Sequence, residues 1–239
     1  KALGTVKDAL GLGAATTDTA YTAIESSIKV VDDIKKKLTA ASQPGVDKDK
    51  VQKEISQLQD QLKSISKSAS FSGQNWVLED ANNAPETKAI VGSFNRDSGG
   101  NISLTTLEYD TTASTLVSLD AAGANDTAGS GILSKERTGL TYVDDQGATQ
   151  TNGALADGIL GFKITATTDR NEMAQILSGV EQGLKEMTDA GADIGAINSR
   201  IELQNSFVDD LMDSIDKGVG KLVDADMNEE STRLKALQT

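Results

Sequence analysis

The sequence predicts an α+β fold in which helices from both chain ends form a long, coiled-coil-like rod with a β-rich domain inserted between them. Both ends carry apolar residues at alternating steps of three and four, as in helices that pack along a seam. The middle is rich in Gly, Asn, Thr, Ser and Asp, and its short apolar runs alternate. Aromatic residues are only 3% of 239 residues, which favours thin bundles over a thick core. We predict a helical domain over 1–72 and 169–239 and a β-rich region over 73–168.

Composition argues against several classes of function. The 36 acidic residues against 23 Lys and Arg give a net charge of −13, which disfavours nucleic acid and membrane surfaces as partners. The chain has no His and no Cys, so it lacks the commonest general base and the Ser-His-Asp and Cys-His arrangements. We therefore predict no enzyme, no catalytic residue, no metal site and no cofactor.

The first helix is predicted over 1–41, where a seven-residue frame runs from Leu3 to Ala41 without a slip. It ends at Gln43-Pro44-Gly45, since Pro removes a helical hydrogen bond and Gly permits a turn. Asp47 is a suitable N-cap for a second helix. So short a turn predicts that the two helices lie antiparallel.

The second helix contains the stretch VQKEISQLQDQLKSI, whose large apolar residues form a helix seam that needs a partner. The seam consists of Val51, Ile55, Leu58, Leu62 and Ile65. We expect Leu58→Ala to destabilise the bundle by roughly 2 to 5 kcal/mol. Gln59 lies off the seam, so its truncation is expected to change little.

The β-rich region contains the runs NISLTTLEYD, STLVSL and GILGFKITATT, which predict strands of a modest, largely antiparallel sheet. KAIVGSF and NISLTTLEY, separated by NRDSGG, predict a hairpin over about 88–109.

Helical periodicity returns at residue 169, where Thr168 or Asp169 can cap a helix that is predicted to be unbroken over 170–217. Its seam supplies the partner for the second helix and includes Ile194, Ile197, Ile201, Val208, Leu211 and Ile215. Leu177, Leu184, Leu203 and Phe207 form a flanking stripe that predicts contact with more than one helix. Gly179 with Gly183, and Gly191 with Gly195, are predicted to let helices approach closely.

An acidic cluster near the end of the chain imitates the opening of a calcium loop. Asp224, Asp226 and Asn228 alternate as oxygen ligands require, but Glu229 and Lys235 occupy the places that need Gly and Glu. We interpret the cluster as a solvated turn or helix start, with metal binding as the alternative.

Two long segments resemble bacterial flagellins, especially those of α-proteobacterial (rhizobial) type. SRIELQNSFVDDLMDSIDKGVGKLVDADMNEESTRLKALQT resembles their carboxy-terminal region, and ISQLQDQLKSISKSASFSGQNW their amino-terminal half, which ends in the turn Phe71-Ser72-Gly73. The resemblance implies a secreted structural subunit that polymerises into the extracellular flagellar filament. It also implies an export chaperone and cap proteins as partners. The family's terminal inner-wall segments are not found in the sequence, so we expect a core fragment that stays monomeric alone.

The resemblance also bears on recognition by the flagellin-sensing Toll-like receptor. Enteric flagellins present an Arg, a Leu four residues later and a Glu to it, and the matching positions here hold Asp33, Lys37 and Glu54. Only the Glu is retained, so the resemblance implies weak or no recognition.

Other classes of function stay open from the sequence. A hook-associated junction protein shares the terminal helices, and the insertion could act as an adhesin. An enzyme carried in the insertion would have to use carboxylates alone.

Overall fold

The computed structural model describes residues 2–96 and 98–238, and it confirms the predicted fold class. Three long helices come from the two chain ends: α1 (Ala2–Ala41), α2 (Lys48–Ser68) and α4 (Arg170–Gln238). Between α2 and α4 lie a one-turn helix α3 (Gly158–Gly161) and eight short strands. They are β1 (Ser70–Phe71), β2 (Gln74–Asn75), β3 (Leu78–Glu79), β4 (Thr87–Arg96), β5 (Ile102–Asp110), β6 (Val117–Ser118), β7 (Arg137–Val143) and β8 (Thr149–Leu155).

The chain divides into two compact units. One comprises residues 1–13, 90–107 and 199–239, and the other comprises 14–89 and 108–198. We call them the smaller and the larger unit. Each contains both helical and strand residues, and the division into a helical and a β-rich domain at residues 72 and 169 stays a prediction.

Local side-chain chemistry fixes the helix ends in the larger unit. The turn after α1 has Gly45 at φ +81°, and Asp47 then caps α2 by accepting the N–H groups of Asp49 and Lys50. Of the two candidate caps for α4, Asp169 is the one used. Its Oδ1 accepts Glu172 N–H at 2.8 Å, and Glu172 Oε2 accepts Asp169 N–H at 3.0 Å. This reciprocal pair is a capping box, which satisfies two donors at the helix start.

The seam of the larger unit is closely packed. Its fully buried side chains come from α1, α2 and α4 and include Ile24, Ile34, Leu38, Ile55, Leu62, Met187 and Ile194. Some glycines of α4 lie against α1, and others lie against the inserted region. A Cβ on Gly195 would lie 3.3 Å from Tyr21 of α1, whereas one on Gly183 would lie 2.3 Å from Ile159 Cδ1. The close approach of two helices is therefore found at Gly191 and Gly195. Gly179 and Gly183 instead let side chains of the inserted region pack against α4.

The strands form four two-stranded sheets instead of one continuous sheet. β1 and β2 are antiparallel and joined by Ser72 and Gly73 at φ 51° and 77°, the two positive values of a type I′ turn. β7 and β8 are also antiparallel, but β3 and β6 are parallel. β4 pairs with β5, as the predicted hairpin requires, although its turn residue 97 lies outside the described residues.

Two strand predictions need correction. Only Val117 and Ser118 of STLVSL form a strand, and GILGFKITATT forms the one-turn helix α3 followed by irregular chain. The backbone of the second segment is bonded by side chains of α2 instead of a neighbouring strand. Gln52 Oε1 accepts Ile164 N–H at 2.8 Å, and Asp49 Oδ1 accepts Ala166 N–H at 3.2 Å.

An apolar cluster and an ion pair between α1 and α4 hold the smaller unit together. Val6, Leu10, Ile90, Ile201 and Val208 are buried, and Lys7 forms an ion pair with Asp209. Gly13 allows Ile90 to approach α1, because a Cβ on Gly13 would lie 2.6 Å from Ile90 Cγ2. The acidic cluster at Asp224, Asp226 and Asn228 lies within the continuous helix α4, so its interpretation as a turn or helix start is wrong.

Candidate functional site

The predicted seam residues differ in their burial. Ile55, Leu62, Ile194, Ile201 and Val208 are buried. Five others are partly exposed, namely Val51, Leu58, Ile65, Ile197 and Leu211. Ile215 is 46% exposed, so it does not belong to the buried core of the described residues. Partial exposure of Leu58 also means that its truncation should cost less than that of Ile201, whose side chain is 0% exposed.

Gln59 is a buried residue that the sequence prediction missed. It is 6% exposed, and its Nε2 donates to the carbonyl oxygens of Ile159 at 3.0 Å and Phe162 at 3.1 Å. Gln59 therefore belongs to a polar stripe of α2 with Asp49 and Gln52, which joins that helix to the end of the insertion. The steps of three and seven between these residues are the only signal for the stripe in the sequence, and solvated helix faces show the same steps.

Arg137 is a second residue without a sequence signal, and it holds β7 against α4. It is 3% exposed and donates to Ile132 O at 2.7 Å, Gln182 Oε1 at 2.8 Å and Glu186 Oε2 at 2.8 Å. Burial alone would raise the pKa of Glu186, but the hydrogen bond and charge of Arg137, with a contribution from Lys135, hold that pKa below its usual value. Arg137 and Glu186 thus have the geometry of a structural ion pair.

The positions that are predicted to face the receptor lie on the surface of the larger unit. Asp33 is exposed, and Lys37 Nζ lies 2.9 Å from Glu54 Oε2. Both members of this ion pair are about half exposed. Glu54 is thus already paired with a cation of the same chain.

The most distinctive surface is an apolar face on the last part of α4. Its seven large residues are between 46% and 85% exposed: Ile215, Val219, Leu222, Val223, Met227, Leu234 and Leu237. At 100° per residue they fall within an arc of about 140°, so they form one face of the helix. Three carboxylates, Asp216, Asp226 and Glu230, and one cation, Arg233, fall within the same arc. We call these eleven residues the acidic-apolar face.

Sites for other chemistry are not found in the described part of the chain. Across residues 2–96 and 98–238, no three acidic, His or Cys side chains converge as a metal site would require. No helix within these ranges has the length and apolar character needed to cross a bilayer.

A long helix that buries one apolar seam and exposes a second apolar face is typical of subunits that assemble with copies of themselves. Comparison with known proteins identifies the class. Residues 1–82 match the family model described as the bacterial flagellin N-terminal helical region, and residues 177–239 match that of the bacterial flagellin C-terminal helical region.

Relatives match the whole chain. Flagellin C of Rhizobium meliloti (strain 1021) is 49% identical over 244 residues, which cover 100% of this chain and 74% of that protein. Flagellin B of Rhizobium meliloti is 40% identical over 314 residues, covering 100% and 79%. Among solved structures, Bacillus cereus flagellin matches with a TM-score of 0.49 and 18% identity, covering 85% of this chain and 88% of that one.

The chain belongs to the bacterial flagellin family. Its function is that of a structural subunit of the flagellar filament, which is extracellular and serves motility. The family implies a structural protein and not an enzyme.

Proposed function

We propose that the acidic-apolar face of α4 is the surface through which this subunit joins other copies in the filament. The observation that supports it is the exposure of seven large apolar residues on one helix face. Burial of the exposed part of each side chain would contribute roughly 1 to 2 kcal/mol, so a face of this size favours assembly strongly. Within the larger unit, the buried seam residues Ile55, Leu62 and Ile194 serve to hold its helices together.

In this proposal the helical regions 1–72 and 169–239 supply most of the contacts of the polymer, and most of the region 73–168 faces outward. The chain is secreted and has an export chaperone and cap proteins as further partners, as its family membership suggests. No step of this role requires a cofactor or catalysis.

The assembly proposal is tested in cells whose sole flagellin contains this chain. The double change Leu222→Ala with Val223→Ala removes two side chains that are 69% and 51% exposed. Loss of their burial, at roughly 1 kcal/mol or more each, predicts a rise of about 25-fold or more in the free subunit concentration needed for growth. The measurement is the share of the protein in sheared filaments compared with the culture medium.

The matched control is Leu12→Ala, which removes an apolar side chain of similar exposure, 51%, outside the face. It should leave the protein in filaments. An unchanged share in filaments for the double variant would show that the face does not carry the assembly contact.

We also propose that the Toll-like receptor recognises this chain weakly or not at all. Asp33 presents the wrong charge, and the Lys37–Glu54 ion pair leaves neither side chain free. The change Asp33→Arg with Lys37→Leu would supply the two missing anchors and release Glu54, so reporter cells should respond at least 100-fold more strongly. The control is Lys36→Leu, one position away. Strong signalling by the unmodified chain, or no gain for the double variant, would contradict this proposal.

A further inference from the structure

A cleft in the larger unit has no role in the packing described above. It lies where the α1–α2 turn, the end of β7 and the start of α4 meet, and its volume is about 520 Å³. Pro44, Lys48, Val143, Arg170 and Leu177 line it. Val143 is 58% exposed although it is a large apolar residue, and Leu177 is partly exposed. The cleft thus combines open apolar surface with two cations.

The charge of the cleft is opposite to that of the chain as a whole. Its charged residues are Lys48, Arg170 and Asp169, and the carboxylate of Asp169 already accepts the N–H of Glu172. Neither Lys48 nor Arg170 forms an ion pair with another residue in the ranges that the structure describes. In a chain of net charge −13, a cleft with two cations and one carboxylate is a local site for acidic groups.

A filament subunit needs two different surfaces that complement each other. An open helical polymer grows through heterologous contacts, in which one patch of a copy binds a different patch of the next. The acidic-apolar face of α4 supplies one such patch, with Leu222 and Val223 next to Asp216 and Asp226. The cleft supplies apolar surface beside cations, so it matches that face in both apolar character and charge.

We propose that the cleft lined by Pro44, Lys48, Val143, Arg170 and Leu177 binds the acidic-apolar face of a second copy of this chain, head to tail. This inference rests on the proposed role of that face in assembly and adds the surface that receives it. Leu222 and Val223 contact Val143 and Leu177 of the next copy, and Asp216 and Asp226 lie near Lys48 and Arg170.

The absence of Cys from the chain allows a clean test by cross-linking. Cells without other flagellins produce together two variants of a flagellin that contains this chain, Val143→Cys with an affinity tag and Leu222→Cys without one. Their sheared filaments are treated with a short thiol-specific cross-linker. We expect a dimer of one tagged and one untagged copy, because no single copy contains both thiols.

Charge reversal then tests complementarity. Lys48→Glu with Arg170→Glu in the Val143→Cys copy should reduce the mixed dimer at least tenfold. Asp216→Lys with Asp226→Lys in the other copy should restore it. Lys29→Glu, an exposed lysine outside the cleft, is the matched control and should leave the yield unchanged.

The outcomes separate the two proposals. Cross-links of Leu222→Cys only to itself would overturn the role of the cleft but leave the face as an assembly surface. The same follows if the mixed dimer forms but is insensitive to both charge reversals. A Leu222→Cys copy that forms no cross-link in filaments would overturn both proposals.

Discussion

The change Gln59→Met removes the amide that joins α2 to the end of the insertion while keeping most of the side-chain volume. The two hydrogen bonds to the carbonyl oxygens of Ile159 and Phe162 contribute about 1 kcal/mol each. The two carbonyls would then be left without donors in a site where Gln59 is only 6% exposed, at a further cost of about 1 kcal/mol or more. We therefore expect a loss of about 2 to 4 kcal/mol in the free energy of unfolding.

Urea unfolding followed by tryptophan fluorescence measures this loss. Trp76 is the sole tryptophan, is 5% exposed and belongs to the same unit as Gln59, so its emission reports the relevant transition. Gln57→Met, on the exposed side of α2, is the control and should change stability by less than about 0.5 kcal/mol. Equal and small effects of both changes would refute the reasoning and restore the expectation that Gln59 matters little.

Two further perturbations test packing and ionisation. Gly13→Ala should destabilise the smaller unit, because the added Cβ would meet the side chain of Ile90. A Cβ at Gly11 would have no atom within 4 Å, so Gly11→Ala should stabilise the helix by up to about 1 kcal/mol. Thermal unfolding followed by circular dichroism should show these opposite changes in stability. Burial raises the pKa of Tyr109 to about 12 from 10.0. Because the unfolded phenol ionises first, stability should fall by roughly 2 to 3 kcal/mol between pH 10 and 12. Tyr109→Phe should remove that part of the decline in alkaline urea melts, and an identical decline would contradict the assignment.

The helices could be predicted well from the sequence because their signals are local and repeated. The end of α1 was predicted from the frame between Leu3 and Ala41 and from the turn at Pro44-Gly45. The N-caps of α2 and α4 were predicted at Asp47 and Asp169. Each of these signals lies within a few residues of the structure that it determines.

The insertion could not be predicted to the same depth because its contacts are distant in sequence. Gln59 bonds a segment about 100 residues away, and Arg137 bonds Glu186, 49 residues away. The segment GILGFKITATT has the composition of a strand, but its backbone is satisfied by side chains of α2, and alternation of residue types cannot reveal such a partner.

The candidate assembly surface was only partly foreseen. Ile215 followed the heptad spacing and was predicted to pack in the seam, yet the structure leaves it 46% exposed on the acidic-apolar face. Periodicity identifies an apolar helix face but does not say whether the same chain or a second copy covers it.

The copy number of this chain in sheared filaments tests the central claim most directly. Filaments are removed from cells that produce the chain, and its amount is compared with that of all other filament proteins by quantitative mass spectrometry. A filament subunit should be a major component present in many copies along the filament. A few copies per filament, confined to one end in immunogold electron microscopy, would instead identify a junction protein and contradict the account.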